Sequence, residues 1–158
     1  MSVSILEQVR LAIRARLLEL VTERVASAVT CPRRYGRETT YQDREIVLRQ
    51  MDAKTIDEDS GTGLPSAGCK GWERRFWVYC WRRLSETSDD EIDATLNAFV
   101  AEVADKLDDV EAPFASPQFY LDVEEDLPVS SPDRSCDGRA LVLHVWYEHR
   151  LGDAFSQV

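Results

Sequence analysis

At 158 residues, 44% hydrophobic and 30% charged, the chain has the make-up of one globular domain, and no apolar run approaches the roughly 18–20 residues that span a bilayer. A formal net charge of −10 repels phosphate backbones and excludes general nucleic-acid binding through a basic surface. Residues 1–7 hold no basic stretch ahead of an apolar block, so no secretion signal is predicted, and Cys31, Cys69, Cys80 and Cys136, widely spaced, read as free thiols.

The spacing predicts a first helix over residues 4–28. Ser4 and Glu7 have capping-box spacing, and Leu6, Val9, Ile13, Leu17, Leu20 and Val21 recur every three or four residues as one apolar stripe. Pro32 stops it. Residues 31–44, with Arg33, Arg34 and Arg37, read as a polar loop. An extended segment follows over 45–56, where the apolar residues change phase near Gln50, as a β-bulge would require. Residues 57–71, acidic and then rich in Gly, Ser and Pro, form a connection that makes the flanking strands a long hairpin.

The strand over 72–84 is the most distinctive segment. Side chains alternate across a strand, so Phe76, Val78 and Cys80 share a compact face suited to a core. Trp77, Tyr79 and Trp81, bounded by Arg75 and Arg83, occupy the other. A strand with one buried face has no need of three large aromatics on the opposite one. Either that face packs beneath a piece of its own chain, such as the hairpin folded back, or it meets another copy of the protein. The second reading is the expectation, with Arg75, Trp77, Tyr79, Trp81, Arg83 and Trp146 as interface candidates.

A second helix is predicted from Ser88, again with capping-box spacing to Glu91 and with Ile92, Leu96, Phe99, Val100, Val103, Leu107 and Val110 as its stripe. Phe119, Leu121 and Val123 alternate in a third strand. After a loop over 127–138, Leu141, Leu143, Val145 and Tyr147 alternate in a fourth. The order α-β-β-α-β-β predicts a single α+β domain over 1–158, with a four-stranded antiparallel or mixed sheet and both helices on one face.

No catalytic constellation stands out. His144 and His149 would lie about 16 Å apart along a strand, too far to share a metal. The serines lack a glycine-flanked nucleophile pattern, and Gly61-Thr62-Gly63 is not followed by a phosphate-loop lysine. Glu124, Glu125 and Asp126, and a second cluster of Asp57, Glu58 and Asp59, are groups a metal-dependent nuclease could use, but both sit where strands are expected to run into loops, the usual place for solvated charge. The chain is therefore read as a non-enzyme with no cofactor or metal.

In layout the chain resembles the tail terminator (minor tail) proteins of long-tailed, lambda-like and Mu-like bacteriophages. The resemblance rests on the opening helix Ser4-Ile5-Leu6-Glu7-Gln8-Val9-Arg10-Leu11-Ala12-Ile13 and on the passage over 72–107. In that passage the alternating strand runs through Leu84-Ser85-Glu86-Thr87-Ser88-Asp89-Asp90 into an acidic-start helix. It rests also on the last strand with Trp146-Tyr147-Glu148-His149-Arg150-Leu151-Gly152-Asp153. What it implies is a small α+β subunit forming a homo-hexameric ring on the head-proximal end of the tail tube. The ring stops tube growth and joins the head–tail connector or stopper protein. DNA would pass through without specific binding, no membrane or cofactor would be involved, and the protein would move from host cytoplasm into the virion. A head-completion or tube protein is the neighbouring alternative, and the nuclease the distant one.

Overall fold

The computed structural model describes residues 2–32, 41–55, 67–83, 89–113, 119–150 and 155–157. The first helix, α1 (Ile5–Thr22), starts where the spacing predicts: Ser4 is extended and its Oγ accepts the Glu7 N–H at 3.2 Å. Ile5, Val9, Ile13, Leu17 and Leu20 are buried in one stripe. The helix ends well short of the expected Ala28. Arg24 adopts a left-handed backbone (φ 64°), and Val25 N–H then bonds the Leu20 carbonyl at 2.9 Å while Arg24 N–H bonds that of Val21 at 3.1 Å. This is a Schellman stop, usually built on glycine, and an arginine there gives no sequence signal. An L-residue in this conformation costs about 1–2 kcal/mol. Arg24→Gly is therefore expected to stabilise the fold by about 0.5–1 kcal/mol, read as a higher denaturant midpoint with unchanged slope.

Before α1 lies β1 (Ser2–Ser4). The chain released by the helix stop forms a short strand that was not foreseen, β2 (Ala28–Thr30), of which only Ala28 fell within the predicted helix; it runs parallel to β3 (Glu45–Thr55). As predicted, β3 changes register between Gln50 and Ala53 and pairs antiparallel with β4 (Cys69–Arg82), Ile46 opposite Cys80. The expected hairpin tip lies mostly outside the described residues, although 69–71 are already strand. The second helix, α2 (Asp89–Asp108), buries Leu96, Phe99, Val100, Val103 and Leu107; the Ser88 cap lies outside the described residues. Then follow β5 (Phe119–Ser130), β6 (Asp137–Arg150) and β7 (Phe155–Gln157).

Among the described residues the fold is thus α+β, with two helices and a mixed sheet of five strands rather than four, ordered β2-β3-β4-β6-β5. A separate two-stranded pair joins β1 to β7. The expected 127–138 loop shrinks to a turn, because β5 continues to Ser130 as an edge strand and β6 begins at Asp137. An edge strand faces solvent on one side, so it accepts the acidic residues and Pro128 that made this stretch look like loop.

Both helices cover one face of the sheet. Phe76, Val78 and Cys80 from β4 and Leu141, Leu143, Val145 and Tyr147 from β6 join the helical stripes in one core. Burial drives the Cys80 thiol far above its ordinary range, so it stays protonated. Ion pairs bind the helices to each other: Arg16 reaches Asp109 at 2.8 Å, and Lys106 reaches Glu23 at 2.6 Å. Among the described residues, no helix is long and apolar enough to cross a membrane.

Candidate functional site

The strand parity read from the sequence holds in β4, and the odd residues face away from both helices. Trp77, Tyr79 and Trp81 form a ladder of rings, with centroids 5.7 Å apart at Trp77–Tyr79 and 5.9 Å at Tyr79–Trp81. Tyr41 extends it, stacked on Trp81 at 4.5 Å with the planes within 7°. The Arg49 guanidinium lies 5.6 Å from the Tyr79 ring centre, a cation–π contact.

This ladder separates the three aromatics. Trp81 is only 3% exposed and belongs to a small second core with Tyr41, Val47 and Cys136, against which Tyr79 and Val129 pack. It is not a surface residue, which corrects its place among the interface candidates. The cover is a turn from the arginine-rich region, far away in sequence. Asp43 clamps that turn: its Oδ1 accepts Arg82 Nε–H at 2.8 Å and the Arg83 N–H at 2.9 Å. The Arg83 guanidinium donates to the Tyr41 carbonyl at 2.8 Å, so this exposed candidate is partly committed to its own chain. Buried Glu45 closes the turn, accepting from Gln42 N–H at 2.7 Å and Thr30 Oγ1 at 3.0 Å.

Burial pushes the Asp43 carboxyl upward, but the Arg83 amide and the Arg82 guanidinium outweigh it and hold the group below the usual carboxylate value. A carboxyl lowered by folding stabilises the fold above its unfolded value of about 3.9, and that stabilisation is lost as pH falls through the folded value. Wild type is therefore expected to exceed Asp43→Asn in stability at about pH 7 by a margin that has narrowed by about pH 3, below the unfolded carboxyl value. Denaturant titration at both values checks this; an unchanged gap in acid would contradict the clamp.

Trp77 and Tyr79 are half-buried and remain on the second face, as does Trp146. Trp146 stands apart from the ladder: it pairs across β6 with Glu73 and Tyr120, while Trp77 pairs with Val142. Between them Arg75 is exposed and meets Glu124 at 3.3 Å, and His144 Nε2 lies 2.5 Å from Glu73 Oε1. Tyr120 and Leu127 of β5 add exposed apolar area, 54% and 37% accessible. The face is thus a mixture of rings, ion pairs and two apolar edge residues.

The acidic run does not gather into a metal site. Glu124 is drawn to Arg75 and Asp126 to Arg139 at 2.6 Å, while the acidic run at 57–59 lies outside the described residues. Among the described residues, no three His, Cys, Asp or Glu side chains are grouped to hold a metal ion.

One further cluster escaped the sequence reading. At the far end of the core face His149, 8% exposed, accepts the Trp72 indole N–H through Nε2 at 2.9 Å, and its Nδ1 lies 2.9 Å from the Arg150 carbonyl. With Nε2 accepting, the arrangement suits the tautomer that carries its proton on Nδ1. Lys70 and Arg74 sit 4.4 and 4.8 Å from the Trp72 ring centre. The only sequence signal was the i, i+2, i+4 alternation of Lys70, Trp72 and Arg74; the partner histidine comes from another strand.

No family model and no curated protein matches the chain. Among solved structures, it is similar to a chain of the "Virion of native gene transfer agent (GTA) particle", with a TM-score of 0.51 and 15% identity. The match covers 87% of this chain and 92% of that one. At such identity the likeness is one of fold, and it extends over nearly the whole length of both chains.

Proposed function

We propose that the protein is a structural subunit of a virion. In this reading it assembles as a ring at the head-proximal end of a tail tube, ends tube growth and offers the joining surface for the head connector. The observation that carries the proposal is the fold shared, over nearly the full length of both chains, with a component of a virion. Two features support the finer reading. The second sheet face keeps half-buried Trp77 and Trp146 and exposed Tyr120 and Leu127, a mixture suited to a subunit contact. A net charge of −10 suits a ring through which DNA slides without adhering. On this reading the chain is not an enzyme and needs no cofactor.

The test is the full-length chain measured by light scattering alone and with tail tubes, and localised by gold labelling of particles. A ring at the head-proximal tip is expected. Trp77→Asp is expected to abolish assembly while moving the melting midpoint by no more than a few degrees, because Trp77 lies outside both buried clusters. Uniform labelling along the tube would instead make it a tube protein. A monomer absent from particles would overturn the proposal.

A further inference from the structure

We infer that α1 carries a second docking face, an outward stripe of Leu11, Ala15 and Leu18 that seats on the β5 side of the second sheet face of a neighbouring copy. The inference rests on the ring reading above and names its contact. Residues 5, 9, 13, 17 and 20 of α1 point into the core, which leaves 11, 15 and 18 on the opposite side of the same helix. A surface helix ordinarily turns charge to that side. Here Leu11 is 41% exposed, Ala15 is exposed and Leu18 half-buried, while Arg16 and Glu19 are drawn sideways into ion pairs with the second helix and its end.

Among the described residues the exposed large hydrophobics are Leu11, Tyr120 and Leu127, one on α1 and two on β5. Two unlike patches on one molecule make a heterologous contact, the kind that closes into a ring by rotation. Their charges match. Arg14, between Leu11 and Leu18 along the helix, has no ion pair among the described residues. The β5 residues facing the same way as Tyr120 and Leu127 include Asp122 and Glu125, and Glu125 likewise has no ion pair among the described residues. For a chain of net charge −10, two copies repel unless opposite charges meet locally. Arg14 against Glu125, framed by the leucines and Tyr120, meets that condition. The neighbour's α1 would also supply the helical layer that the second face lacks within its own described chain.

Charge exchange tests the contact. In sedimentation of the full-length chain, alone and with tail tubes, Arg14→Glu and Glu125→Arg are each expected to weaken self-association about tenfold or more. The double variant is expected to recover to within about threefold of wild type. Thermal melts confirm that each variant folds. If wild type associates and Trp77→Asp disrupts it while neither charge reversal does, the α1 contact is wrong and the ring reading stands. If Glu125→Arg alone weakens association, a different segment of the neighbour occupies the face and the α1 assignment is overturned. If wild type never associates, both readings fall together.

Discussion

Replacing Trp81 by alanine is expected to lower the free energy of unfolding by about 3–5 kcal/mol, the range for removing a large aromatic from a packed interior. The expectation follows from three observations. The indole is 3% exposed, it stacks face to face on Tyr41, and it lies over the Gly138 backbone. Its removal also strips the 41–44 turn of its apolar seat, leaving it to polar anchors such as the Asp43 clamp, the Arg83 guanidinium on the Tyr41 carbonyl and Glu45 on the Gln42 N–H. Circular dichroism is the suitable probe, since deleting one of four tryptophans alters fluorescence by itself. Trp77→Ala on the same strand face should cost far less. Equal losses at the two positions would mean that Trp77 is as deeply packed as Trp81, against their observed burial.

Gly138→Ala is expected to destabilise by about 2–3 kcal/mol, a large effect for one methyl group. A Cβ at this position would stand 2.5 Å from Trp81 Cε3, 2.8 Å from Cζ3 and 2.9 Å from the Cys80 carbonyl oxygen. Neither neighbour gives way easily. The ring is held in its stack with Tyr41 and Tyr79, and the carbonyl belongs to a central strand. Glycine is needed here for the absence of a side chain, so that an indole can approach the next strand closely. The two substitutions should couple. In a Trp81→Leu background the ring clash is gone, and Gly138→Ala should cost about 1 kcal/mol or less. Strict additivity would show that the cost arises elsewhere.

How much of this was legible depended on the range of the interaction involved. The Ser4 cap, the helical stripes, the bulge after Gln50 and the two-faced character of β4 were all readable, because each is set by neighbours a few residues apart. The end of α1 was not, since a left-handed arginine does by strain what glycine does by permission. Nor was β2, whose three residues are too few to show a period. The acidic stretch of β5 was misread as the start of a loop for a different reason: composition reports solvent exposure, and an edge strand is as exposed as a loop.

The candidate surface divides along the same line. That Trp77, Tyr79 and Trp81 share a face opposite Phe76, Val78 and Cys80 was written in the order of residues, since it follows from the two-residue repeat of an extended chain. Folding in three dimensions was needed to bring Tyr41, held by the Asp43 clamp, over Trp81 and to set Trp146 beside Tyr120 rather than in the ladder. Which side of a strand a ring occupies is a property of the local backbone, whereas what covers that ring is settled by contacts between segments tens of residues apart.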